Sequence, residues 1–144
     1  IMKKALIAIL AVGLLLPAAF AQTNLMGNIT GTLGPGAYRA VGNLIVPPGD
    51  SLTIMPGTNI EFNGDTDFDV YGYIEALGTE TDSIKFYCRV GSPWNGIDFN
   101  STADDNSVMQ YCFVEGSVCV GINIDNCSPT ISHTLIKSCN AGGG

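Results

Sequence analysis

Basic side chains are scarce in this chain: 144 residues carry six Lys and Arg and one His against 13 Asp and Glu, a formal charge of −7. Such a field repels polyanions, so the composition excludes nucleic acid as a partner and disfavours anionic lipid surfaces and acidic polysaccharides. Tryptophan occurs once. After residue 21 no apolar run approaches the roughly 20 residues that a transmembrane helix needs. The five cysteines, Cys88, Cys112, Cys119, Cys127 and Cys139, include no CxxC pair, which argues against zinc. There is no G-x-S-x-G elbow and no reactive-Cys setting. The single His133 therefore has no nucleophile to serve and reads as a polar corner residue.

What is present begins with a leader. Lys3 and Lys4 precede an uninterrupted apolar run at 5–16, and Pro17 leads to Ala19-Phe20-Ala21, a small-residue cleavage site. Residues 1–21 are expected to be a secretory signal peptide. No Cys follows the apolar run to accept a lipid, so a secreted, extracellular or cell-surface protein is expected. Its removal leaves four basic side chains against 13 acidic ones, a charge of −9. The remaining residues suffice for one domain, and 18 glycines with 46% apolar residues suit short strands and tight turns. An odd number of cysteines leaves at least one thiol unpaired. Cys112 is expected to be buried as a small core residue, and a bridge among Cys119, Cys127 and Cys139 stays open.

Residues 22–42 are polar and rich in Gly and Thr, and read as an irregular or weakly stranded cap, which a stack of strands needs at its end. From residue 43 short runs place apolar residues at alternate positions, as in Leu44-Ile45-Val46, Leu52-Thr53-Ile54, Ile60-Glu61-Phe62 and Phe68-Asp69-Val70. Pro-Gly and Asn-Gly turns separate them. One phrase then recurs: Gly96-Ile97-Asp98-Phe99 returns 25 residues later as Gly121-Ile122-Asn123-Ile124, and Gly144 follows 23 residues after Gly121. Met109-Gln110-Tyr111-Cys112-Phe113-Val114 returns 22 residues later as Ile131-Ser132-His133-Thr134-Leu135-Ile136. A period in this range without helices indicates an all-β parallel solenoid, of about four to five rungs of 22–25 residues over 43–144, incomplete at its C-terminus. Stacking would put Ile97 under Ile122, Met109 under Ile131, Val114 under Ile136, and Tyr111 opposite His133 at a corner.

The run from Gly49 through Leu52-Thr53-Ile54-Met55-Pro56-Gly57 to Ile60-Glu61-Phe62, with Trp94-Asn95-Gly96-Ile97-Asp98-Phe99 and Ser128-Pro129-Thr130-Ile131-Ser132-His133, resembles secreted bacterial right-handed parallel β-helix repeat proteins. The resemblance covers about residues 38–144. It implies the fold and its handedness; for function it implies little, because that fold hosts lyases, hydrolases, adhesins and passive spacers.

The chemistry-bearing clusters are few. Asp65, Asp67 and Asp69 alternate on an extended segment and form the calcium candidate, although Val70 and Ala76 stand where an EF-hand loop needs Gly and Glu. The plainer reading makes Asp67 and Asp69 the wet face of a strand whose Phe68 and Val70 point inward. Asp104-Asp105-Asn106 and Asp125-Asn126 read as equivalent turn corners. Arg39, Lys85, Arg89 and Lys137 show no shared period, which speaks against an eliminating active site. Tyr71, Tyr73, Tyr87 and Trp94 are candidates for a sugar-binding strip, with Trp94 alternatively covering a corner. The expected function is a non-catalytic secreted or cell-surface scaffold, adhesive or in contact with neutral glycans or other surface components, with no catalytic residues and no required cofactor. The alternative is a truncated carbohydrate-active enzyme, a polysaccharide lyase or glycoside hydrolase, whose mark would be three or more of Asp65, Asp67, Asp69, Asp98, Asp104 and Asp105 in one groove. An open last rung is expected to make the fragment self-associate.

Overall fold

A computed structural model describes residues 21–139, so nearly all of the expected signal peptide, and Gly144, lie outside the described residues. In chain order the strands are β1 (Thr23–Asn28), β2 (Gly31–Leu33), β3 (Gly36–Val46), β4 (Ser51–Ile54), β5 (Thr58–Phe62), β6 (Asp67–Val70) and β7 (Tyr73–Leu77). They continue with β8 (Ile84–Cys88), β9 (Gly96–Phe99), β10 (Val108–Gln110), β11 (Cys112–Glu115), β12 (Ile122–Ile124), β13 (Thr130–Ser132) and β14 (Leu135–Lys137). Among the described residues there is no helix, hence none able to cross a membrane. Every strand pair is parallel.

Pairing sorts the strands into three faces. The first runs β1-β3-β5-β8-β11-β14, the second β3-β6-β9-β12, and the third β2-β4-β7-β10-β13. The first two belong to one nine-stranded sheet because β3 turns a corner within itself: its residues 36–40 pair with β5, and its residues 44–46 pair with β6. That bend curls the sheet strongly. Parallel strands cannot be joined by a hairpin, so the chain visits the other faces before returning one strand spacing along.

Alternation decides what points in. Phe68 and Val70 of β6 are fully buried between half-exposed Asp67 and Asp69, and the same two-residue period buries Leu52 and Ile54, Ile60 and Phe62, and Ile97 and Phe99. Across the coils these residues form columns, Leu44-Phe68-Ile97-Ile122 on the second face and Ile54-Ala76-Met109-Ile131 on the third. Each large aliphatic member removed from water contributes about 1.5 to 3 kcal/mol. The registers expected from the repeated phrases are found: Ile97 pairs with Ile122, Met109 with Ile131, and Val114 with Ile136.

Two expectations need correction. The segment 22–42 is strand-forming: β1, β2 and the first half of β3 pair in the same ladders as the later coils. Its glycines conceal the alternation that buries Ile29 and Ala40. The spacing is also less regular than 22–25. From β3 onward paired residues lie from 22 apart, as in Ala40 and Phe62, to 33 apart, as in Ala76 and Met109. The middle coils carry insertions at 78–83, 89–95 and 100–107 that bulge between strands without disturbing the ladders.

Candidate binding face

The first face gathers what the sequence scatters. Strand alternation on β3, β5, β8, β11 and β14 points Arg39, Glu61, Tyr87, Glu115 and Lys137 outward in one register column, beside a second column of Ala37, Asn59, Lys85, Phe113 and Leu135. Arg39 Nε donates to Glu61 Oε1 at 2.8 Å, and Lys137 Nζ lies 3.3 Å from Glu115 Oε1 and 5.1 Å from the centroid of the Phe113 ring. Thus three of the four basic residues in the described segment share one surface. Their sequence separations hide this because the insertions at 78–83 and 89–95 shift the period. The fourth, Arg89, follows directly on β8.

These columns enclose an open depression of about 450 Å³ lined by Asn59, Lys85, Tyr87, Phe113 and Glu115. Past Asn59 and Lys85 it meets a smaller hollow of about 160 Å³ walled by Gly57, Thr81, Asp82 and Ser83. Past Asn59 it also meets an apolar shelf of about 360 Å³ formed with Pro35, Gly36 and Ala37. Asn59 is common to all three, so together they make a trough crossing β3, β5, β8 and β11, roughly 14 Å long at the spacing of parallel strands. The Tyr87 phenol is held above its ordinary range, first by burial and then by the Glu61 carboxylate, with Arg39 opposing. At neutral pH it is a neutral hydroxyl on an aromatic ring.

The aromatic strip expected from Tyr71, Tyr73, Tyr87 and Trp94 does not exist as one surface. Trp94 is fully buried, its ring 3.9 Å from that of Phe62 with the planes 15° apart, and its Nε1 donates to Glu115 O at 2.9 Å. It plugs the inner corner below the trough. Tyr73 lies on the third face, donating to Glu75 Oε2, and Tyr71 lies in the turn after β6. Phe113 is the aromatic that the sequence reading missed; the inward positions of Cys112 and Val114 on either side were the available signal.

The acidic candidates fall on the second face. Asp67 and Asp69 point outward from β6, Asp69 stands in register with Asp98 of β9, and Asp65 sits in the preceding turn with φ 45°. Asp67 Oδ2 accepts from Asn43 Nδ2 at 3.0 Å, and the Asp67 backbone N–H donates to Asn43 Oδ1. The Asp69 carboxyl is pushed above its usual range by burial, then by Asp67 and Asp98, against a lowering hydrogen bond from Asn100. Among the described residues no three His, Cys, Asp or Glu side chains gather closely enough to hold a metal ion.

Asp104 and Asp105 act as turn residues. Asp104 Oδ1 accepts from both nitrogens of Asn106 at 2.8 Å, which lowers its pKa, and Asp105 Oδ1 accepts from Ser128 N of the next coil at 2.7 Å. Tyr111 and His133 stack at 4.6 Å in a corner of the chain, both with positive φ. All five cysteines are free. Cys112 is buried and its thiol is pushed up to about 12 by desolvation.

Comparison of the chain with protein-family models, curated proteins and solved structures found no match.

Proposed function

We propose that this chain is a secreted or cell-surface scaffold, a right-handed parallel β-helix of about four to five rungs, that contacts glycans through its first face. The handedness follows from the rule that crossovers between parallel strands of one sheet are right-handed in about 98% of cases. The observation that carries the function is the trough: Tyr87 and Phe113 offer ring faces, and Asn59, Glu115 and Lys85 offer polar groups, on rigid strands. Saccharides are bound by this combination of flat apolar contact and convergent hydrogen bonds. Binding of the purified chain to a panel of immobilised oligosaccharides tests it, with Phe113→Ala and Tyr87→Ala expected to lose most of the signal. A panel on which wild type and both variants are equally silent refutes the reading.

A second reading is favoured by the second face. Asp67, Asp69 and Asp98 share that surface, and one of them has a raised pKa. Paired carboxylates of unequal pKa, about 5 to 5.5 Å apart, are the equipment of a retaining glycoside hydrolase. The enzyme reading requires reducing ends to be released from a polysaccharide between pH 4 and 8, and Asp69→Asn to abolish the release.

A further inference from the structure

The trough on the first face holds a cation without an answering anion. Of the three basic side chains on that face, Arg39 is paired with Glu61 and Lys137 with Glu115. Lys85 is exposed, forms no ion pair with any described residue, and stands in register between Asn59 and Phe113, two residues from Tyr87. The Nδ2 of Asn59 is held by Gly57 O at 3.1 Å, which leaves its Oδ1 to accept from a hydroxyl. The ammonium group, the two ring faces and the amide oxygen thus converge on one depression.

Resting on the glycan-contacting reading above, we infer that the ligand is an acidic glycan of sparse charge: a saccharide bearing a single carboxylate, set against Lys85, in an otherwise neutral chain. The limit on charge comes from the neighbouring strands. Glu61 on β5 and Glu115 on β11 lie one strand to either side of Lys85, at about 4.8 Å per strand. A polymer with a carboxylate on every residue would press its next charges against them. The other faces turn Asp67, Asp69, Asp98 and Glu75 outward and repel the same ligand, so the molecule's overall negative charge directs a lone carboxylate to this trough.

Isothermal titration of the purified chain with matched pairs tests this: sialyllactose against lactose, and an aldobiouronic acid against its neutral disaccharide. The acidic member of each pair is expected to bind about three- to tenfold more tightly. Lys85→Gln should erase that advantage while leaving neutral binding intact, and salt near 1 M should shrink it in the wild type. Phe113→Ala should weaken acidic and neutral probes alike. Equal or weaker binding of the acidic members, or an acid preference that survives in Lys85→Gln, overturns the inference and leaves the glycan reading standing. Failure of all four probes to bind overturns both. An unchanged melting temperature for Lys85→Gln shows that the comparison is made on folded protein.

Discussion

Asp69 is a carboxylate in a place that disfavours its charge, half-buried beside Asp67 and in register with Asp98. Its folded pKa lies above the ordinary value of 3.8, so the native state binds more protons than the unfolded one. Stability therefore falls as pH rises from the unfolded value through the folded one, and is regained on acidification. Asp69→Asn should melt about 1 to 3 °C higher than wild type at pH 7, with the difference shrinking as pH approaches 4, as read by thermal scans across that range. Trp94 is the opposite case, a residue whose surroundings are fully satisfied. Trp94→Ala should cost about 3 to 5 kcal/mol in urea unfolding, since it empties the space against Phe62. Trp94→Phe keeps a ring there but leaves Glu115 O without its donor, at about 1 to 2 kcal/mol. As the single tryptophan it also reports its own burial, with emission shifting red only on global unfolding. Among the thiols, Cys112 should be the last to react with an alkylating reagent and Cys119, fully exposed, the first.

At the scale of the element, the repeated Gly-Ile phrase acquires a steric reason. Gly96 has φ 109°, and a Cβ there would sit 2.2 Å from Val120 O, a backbone atom of the next coil. Gly121, its counterpart, would meet side-chain atoms instead, Ile136 Cγ2 at 2.4 Å and Cys139 Sγ at 3.0 Å. Gly96→Ala should accordingly destabilise strongly, by about 2 kcal/mol or more, and Gly121→Ala by less than half of that, in parallel denaturant titrations. The phrase was readable because strands β9 to β14 follow one another with few insertions. Earlier strands were less so: β1 and β2 carry few large apolar residues, and the loop at 89–95 placed Trp94 where its neighbours suggested a wet corner. The trough was nearly invisible in the sequence. Its members come from four strands, and which of them share a face depends on insertion lengths that no single period reveals. Alternation alone did place Asp67 and Asp69 outward and Phe68 and Val70 inward.

For the whole molecule, the final described coil leaves apolar residues uncovered. Ile124, Leu135 and Ile136 are 46%, 56% and 45% exposed, and β12, β13 and β14 each end their ladder among the described residues. Open parallel edges next to apolar surface recruit further strands. The 144-residue polypeptide without its leader should therefore elute from size-exclusion chromatography as concentration-dependent oligomers, and Ile136→Lys should shift it toward monomer. A clean wild-type monomer at high concentration would count against this. The three ladders also give the molecule a mechanical character. Each coil is bonded only to the coils before and after it, so tension applied to the two ends peels one coil at a time from an end of the stack. The force trace should show a staircase in which each step frees the chain of one coil, roughly 7 to 8 nm for a coil of 22 residues and roughly 11 to 12 nm where the spacing reaches 33. The uneven insertions would thus be written directly into the step lengths, short at the ends and long in the middle.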